Sequence, residues 1–175
     1  TLMDYGMQVV IMCRNDKQAL PVVEELNATA VSAGSDARAH LAAGDVNDAA
    51  DRQSALATAE QLGQYAVLVN NAGTGAFGAM ETLDDQQIYD TLTTNLISPM
   101  QLIAAASRVF RVNGFGRIIN IGSDVVSYNL ANAAPYVCSK IALQKITELA
   151  AYEVTRDLSD FNGAHVAGGP VNTEL

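Results

Sequence analysis

Tyr136 and Lys140 stand four positions apart in the run Pro135-Tyr136-Val137-Cys138-Ser139-Lys140, and a pair of this kind can move a proton. Residues four apart on a helix share one face. A phenol with its ordinary pKa of about 10 is a poor acid or base at neutral pH, but an ammonium beside it favours the phenolate and brings proton transfer into the working range. Tyr-x-x-x-Lys also occurs by chance on helices where the tyrosine packs and the lysine is solvated, so the pair needs company. Two further features supply it: Ser123, thirteen positions before Tyr136, and Asn70-Asn71-Ala72-Gly73.

The elements around these residues follow from hydrophobic periodicity. Gly116-Arg117-Ile118-Ile119-Asn120-Ile121-Gly122-Ser123 reads as a loop feeding a buried strand, because a continuous apolar run closed by Gly-Ser suits a parallel strand covered on both faces. From Pro135 to about Leu158 the pattern is helical, with proline at an allowed N-terminal position. Upstream, residues 1–6 read as a helix end stopped by Gly6, residues 8–13 as a strand ending at Arg14-Asn15-Asp16, and residues 17–33 as a helix. Residues 37–43 form a small strand closing at Gly44-Asp45-Val46, and Asn47-Asp48 cap a helix that runs to Leu62. Residues 66–70 are the next buried strand. A Gly-rich loop at 74–78 precedes a long helix from about Asp84 to Val112, and a last short strand is expected at 164–167.

Strands alternating with helices predict an α/β fold, a doubly wound parallel sheet in a three-layer αβα arrangement. Ligands of such sheets bind at the carboxyl ends of the strands. Arg14, Asp45, Asn70 to Gly73 and Ser123 all fall at those ends. Pro99 interrupts the long helix, and because proline has no N–H the carbonyl of Asn95 loses its helical donor. A kink is expected there, and the freed carbonyl is a ready water site.

The bulk composition excludes several classes. A chain of 175 residues with 49% hydrophobic and 17% charged residues is expected to be a single globular domain, 1–175. Its net charge of −9 argues against nucleic-acid and anionic-membrane surfaces. No apolar run is long enough to span a bilayer, and no basic segment followed by an apolar one opens the sequence. Cys13 and Cys138 are placed for neither a structural disulfide nor a catalytic thiol, so a reducing, cytoplasmic setting is expected. His40 and His165 lack ligand-like spacing, and no metal is expected.

Asn70-Asn71-Ala72-Gly73, Asn95, Ser123, Tyr136 and Lys140, in this order and approximate spacing, resemble the motif set of the classical short-chain dehydrogenase/reductase family. The resemblance covers essentially the whole chain. It implies a Rossmann-like fold and a catalytic tetrad of Asn95, Ser123, Tyr136 and Lys140. Tyr136 would protonate a carbonyl oxygen or deprotonate an alcohol, and Ser123 would hydrogen-bond that oxygen. Lys140 would support the phenolate and grip the nicotinamide ribose, and Asn95 would hold a water by its main-chain carbonyl. The expected cofactor contacts are Arg14, Asp45, Val46, Asn71, Ala72, Gly73, Tyr136, Lys140, Val171 and Thr173. Family members that prefer NAD usually carry an acidic residue where this chain has Cys13, and an uncharged site followed by Arg14 suits a 2'-phosphate, so NADP(H) is expected in preference to NAD.

The resemblance also marks departures. Gly168 stands where a proline is usual. The family begins with a strand and a Gly-rich turn that wraps a pyrophosphate, and neither precedes Gln8, so the sheet is expected to lack its first strand. The sequence also stops at Leu175, where a substrate lid would follow. An internal portion of a protein of roughly 250 residues is therefore expected. Three functions follow in order: an NADP-dependent carbonyl reductase or alcohol dehydrogenase acting on a small-molecule substrate; a non-catalytic nucleotide-binding regulatory or scaffold protein; and a nucleotide-sugar epimerase or dehydratase. The resemblance further implies a homodimer or homotetramer, with the helices at 84–112 and 135–158 paired across a two-fold axis. Substrate choice is expected to lie in the loop at 74–80 and the segment from Asp124 to Ala134.

Overall fold

A computed structural model describes residues 2–157. The chain falls into two compact units, Thr1–Tyr65 and Ala66–Leu175. The expected strand at 164–167, together with His165, Gly168, Val171 and Thr173, lies outside the described residues.

In the first unit a 3-10 turn, Leu2–Tyr5, leads into β1 (Val9–Cys13), α1 (Asp16–Ser32), β2 (Ala39–Ala43) and α2 (Ala49–Gln61). Gly6 takes φ +76°, the left-handed conformation that ends the opening turn as the sequence predicts. β1 and β2 pair in parallel, from Val9 opposite Ala39 to Cys13 opposite Ala43. Met3, Val23, Ala30, Ala37 and Ala39 form the core, with Val9, Ile11, Leu26 and Leu41 packed against it. Asn27 of α1 reaches the sheet, accepting from Ala39 N at 2.7 Å and donating to Ala39 O at 3.1 Å, so one side chain satisfies both main-chain groups at the start of β2. Asp48 caps α2 by accepting from Ala50 N and Asp51 N, as Asn47-Asp48 predicts.

The second unit contains β3 (Val67–Asn70), α3 (Asp85–Leu92), a π-helical turn (Thr93–Ile97), α4 (Ser98–Asn113), β4 (Arg117–Asn120) and α5 (Ala134–Asp157). β3 and β4 pair in parallel, Val67 with Arg117 through Asn70 with Asn120. α3 starts with a capping box between Asp84 and Gln87. The long helix expected from Asp84 to Val112 is thus two helices joined by a wider turn. Pro99 falls in the first turn of α4, which continues directly from the helical turn before it, and the disruption is taken up by the preceding five residues, with Ser98 N donating to Thr93 O.

A buried polar chain ties the two strands to α5. Asn70 Nδ2 donates to Asn120 Oδ1 at 2.7 Å, Asn120 Nδ2 donates to Thr147 Oγ1 at 2.7 Å, and Thr147 Oγ1 donates to Leu143 O at 2.6 Å. Each of these buried groups finds a partner, which makes the arrangement specific. The fold is α/β with parallel strands, and the strand ends that carry the motifs are fixed in place.

Candidate active site

Tyr136 and Lys140 lie on the opening turns of α5, where the buried stripe runs Ser139, Lys140, Leu143 and Thr147. Lys140 is only 5% exposed. Its Nζ donates to Ile121 O at 2.8 Å and lies 5.9 Å from the centre of the Tyr136 ring. The ammonium is therefore pinned just past the end of β4, two residues before Ser123. Burial lowers the Lys140 pKa from its ordinary value, because removing water penalises the charged form.

Ser123 caps a 3-10 turn, Asp124–Ser127, with its Oγ accepting from Val125 N at 3.4 Å. A hydroxyl has one proton to give, and accepting this bond leaves that proton available to a ligand oxygen.

Asn95 sits fully buried in the π-helical turn. Its Oδ1 accepts from Thr74 N at 2.8 Å, while its Nδ2 donates to Thr74 O at 2.8 Å and to Ser139 Oγ at 3.0 Å. Ser139 Oγ in turn donates to Tyr136 O at 2.6 Å. Sequence reasoning assigned Asn95 a main-chain role; its side chain is a clamp between the loop after β3 and the first turn of α5. Ser139 was missed altogether. Its signal was present, since a small polar residue stands on the same face as Leu143, one turn on, where an apolar residue would be expected.

The Asn-Asn-Ala-Gly turn runs beside this clamp. Asn71, Ala72 and Gly73 are exposed at the end of β3. A side chain at Gly73 would bring its Cβ to 3.5 Å from Asn95 Oδ1 and 3.8 Å from Lys140 Nζ, so Asn95, Lys140 and Gly73 are neighbours. The loop beyond is fastened twice more: Ala76 N donates to Thr91 Oγ1 at 3.1 Å, and Gly78 N donates to Asn132 O at 2.7 Å. Asn132 takes φ +59°, a left-handed conformation that asparagine tolerates better than most residues. The loop at 74–80 and the segment from Asp124 to Ala134, both expected to govern substrate choice, are therefore joined by a hydrogen bond.

In the first unit, Arg14 and Asp45 stand at the carboxyl ends of β1 and β2. Arg14 Nη1 lies 3.8 Å from Asp45 Oδ2, with the Arg14 side chain 74% exposed, so the guanidinium is accessible. The Asp45-Val46 turn is held by residues the sequence reading passed over. Asp51 Oδ2 accepts from Asp45 N at 2.8 Å, and the buried Arg52 donates from Nη1 to Val46 O at 2.7 Å. Cys13 and Cys138 are both free thiols. His40 shares a hydrogen bond with Gln8 Oε1 at 3.1 Å, a structural contact.

Within each unit the donors suit one part of a nucleotide cofactor. An exposed guanidinium at a strand end suits a phosphate. An exposed backbone turn without side-chain bulk, next to a buried ammonium, suits a hydroxylated ring.

The family model for short chain dehydrogenase matches residues 1–175. Over 137 residues the sequence is 34% identical to the 3-oxoacyl-(acyl-carrier-protein) reductase FabG of Pseudomonas aeruginosa, covering 76% of this chain and 55% of that protein. It is 32% identical over 131 residues to the 3-oxoacyl-(acyl-carrier-protein) reductase MabA of Mycobacterium tuberculosis, covering 74% of this chain and 51% of that protein. The chain thus spans about half the length of these curated relatives. Among solved structures, a metagenomic short-chain oxidoreductase in complex with NADP superposes with a TM-score of 0.83 at 29% identity, covering 97% of this chain and 74% of that one. A point variant of actinorhodin polyketide ketoreductase with NADPH gives 0.84 at 28% identity, covering 98% and 64%.

Proposed function

Because this chain belongs to the short chain dehydrogenase family, we propose that it supplies the catalytic centre of an NADP-dependent oxidoreductase interconverting a ketone or aldehyde with an alcohol. The observation that carries the reading is Lys140: a buried ammonium held by Ile121 O, 5.9 Å from the ring of Tyr136 and beside Gly73. Burying an ammonium is costly without a compensating purpose. Support of a phenolate one helical turn away is such a purpose.

Tyr136 acts as the general acid in reduction and the general base in oxidation. Ser123 donates its remaining proton to the same substrate oxygen, stabilising negative charge as it develops there. Asn95 and Ser139 hold the turn that carries Tyr136. Arg14 takes the 2'-phosphate, Asp45 and Val46 the adenine, and Asn71, Ala72 and Gly73 the adenosine ribose. Tyr136 and Lys140 hold the nicotinamide ribose, and Val171 and Thr173, outside the described residues, complete the contacts. The bound nicotinamide supplies hydride to the carbonyl carbon or accepts it. The relatives named as 3-oxoacyl reductases make 3-oxoacyl thioesters the first substrates to try.

Free thiols at Cys13 and Cys138 support a reducing, cytoplasmic setting. Exposed Met100 and Val112 on α4, and Ile141, Leu149 and Tyr152 on α5, support association of these helices in a homodimer or homotetramer.

The test is oxidation of NADPH by the intact protein against a panel of ketones, aldehydes and 3-oxoacyl thioesters. Tyr136→Phe is expected to lower kcat by about 10²- to 10⁴-fold with NADPH binding retained. Cofactor binding with no turnover on any carbonyl would instead support a regulatory nucleotide-binding protein.

A further inference from the structure

Phe77 is the one large apolar side chain of the loop 74–78, and it is 64% exposed. An exposed phenylalanine is unremarkable by itself, but this one is seated. Its ring centre lies 5.7 Å from that of Tyr136, with the planes inclined by 42°, a separation within the range of interacting aromatic pairs. The seat depends on Gly75. A Cβ at that position would fall 2.6 Å from Phe77 Cε2, 2.8 Å from Phe77 Cζ and 3.3 Å from Tyr136 Cδ2, so the missing side chain is what lets the two rings meet.

The loop that presents Phe77 is fixed rather than loosely tethered. Thr74 is gripped by Asn95, Ala76 N by Thr91, and Gly78 N by Asn132 O. Two of these anchors flank Phe77 within one residue. A backbone so constrained limits where the ring can go, and pre-organised apolar surface binds at a smaller ordering cost.

We propose that Phe77 is a specificity-determining residue, an apolar wall beside Tyr136 that selects carbonyl compounds bearing a bulky apolar or aromatic group over short or charged ones. The proposal rests on Tyr136 being the acid and base of the reaction. A carbonyl oxygen hydrogen-bonded to the Tyr136 phenol brings the substituents of its carbonyl carbon within reach of the neighbouring Phe77 ring. An apolar substituent gains burial and ring contact there. A carboxylate in the same place loses water and meets no cation on that ring.

The experiment compares the intact protein with its Phe77→Ala and Phe77→Leu variants, using NADPH and three probes: acetophenone, acetone and pyruvate. The unsubstituted protein is expected to prefer acetophenone. Phe77→Ala is expected to lower kcat/KM for acetophenone about tenfold, mainly through KM, with little change for acetone, and Phe77→Leu to fall between. The pH profile of kcat should not move, since the ring selects substrate and does not act through the phenol. A second readout needs no turnover: Phe77→Trp places a tryptophan at this position, and the difference in tryptophan emission between the variant and the unsubstituted protein should respond to acetophenone in the presence of NADP and ignore pyruvate. Equal losses on all three probes, a shifted pH profile, or emission indifferent to acetophenone would overturn the proposal while leaving the dehydrogenase reading intact. Absence of turnover by the unsubstituted protein on every carbonyl would overturn both.

Discussion

Asn95 holds Thr74 by both of its main-chain groups, accepting from the N–H and donating to the carbonyl, each at 2.8 Å. It is a side chain imitating a strand partner, and it gives the loop after β3 a fixed starting point although that loop has no regular structure. The same amide group reaches Ser139, so one residue sets the loop against the helix that carries Tyr136. Asn95→Leu removes all three bonds in a fully buried position. A loss of about 2–4 kcal/mol in unfolding free energy is expected, read from the urea midpoint of the intact protein. Turnover should fall further than stability alone explains, because the Tyr136 turn is no longer anchored. An Asn95→Leu protein as stable and active as the parent would mean that Asn95 clamps neither the loop nor the helix.

The buried ammonium gives a pH signature. Burial places the Lys140 pKa below its ordinary value, so between the folded and unfolded values the unfolded chain binds more protons. Stability then rises with pH across that window. The cost of the buried charge is fully present below the folded value and gone above the ordinary lysine value. Lys140→Met abolishes this contribution, so the stability of the parent relative to the variant should climb as pH rises through the window. Chemical denaturation of both proteins in a pH series measures it. The variant should also lose about 10²- to 10³-fold in kcat, as expected for removing one electrostatic group. A relative stability that is flat with pH would mean that Lys140 is not desolvated as described.

Much of this was legible from local pattern. The runs at 8–13, 66–70 and 117–121 are short and centred on apolar residues, the cap at Asp48 is chemically distinctive, and Gly6 ends its element in the left-handed conformation. What escaped was the set of residues that act at a distance in sequence. Asp51, Arg52, Thr91 and Ser139 each satisfy a main-chain or side-chain group on another segment. Periodicity reads the chain against itself over a few residues and has no term for such partners. The π-helical turn was half legible for the same reason. Pro99 announced a break, but where the extra residue is absorbed depends on Asn95 finding Thr74 and Ser139.

Arg14 offers a test of cofactor choice. It sits 3.8 Å from Asp45 with most of its side chain in water, and an exposed ion pair of this kind holds its partners weakly. The guanidinium is therefore available to a phosphate at little cost. Arg14→Gln is expected to weaken NADPH binding by roughly 10- to 100-fold, the scale of a hydrogen bond to a charged group, and to leave NADH binding nearly unchanged. Titration calorimetry with both cofactors on the intact protein reads the ratio. Equal losses for both would mean that Arg14 does not sense the 2'-phosphate.

Gly116, at the entrance to β4, is required by packing and not by backbone conformation. It is absent from the positive-φ glycines, yet a Cβ there would fall 2.0 Å from Phe110 Cγ and 2.6 Å from Phe110 Cβ. Phe110 is fully buried on α4 and has no room to withdraw. Because α4 and β4 are joined by the short turn through Gly114, an added methyl must move either the ring or the strand that leads to Ile121 and Ser123. Gly116→Ala is expected to cost about 1–3 kcal/mol or more, the range for overpacking, and to lower turnover by shifting the carbonyl that holds Lys140. Removing the ring should relieve most of the clash, because Phe110 Cγ and Cδ2, at 2.0 and 2.1 Å, are the atoms met first. Phe110→Ala alone is destabilising through the cavity it leaves, but combined with Gly116→Ala it should cost clearly less than the sum of the two, a coupling of about 1 kcal/mol or more for residues in direct contact. Urea denaturation of the four members of this cycle decides it: strictly additive losses would mean that the two residues do not meet.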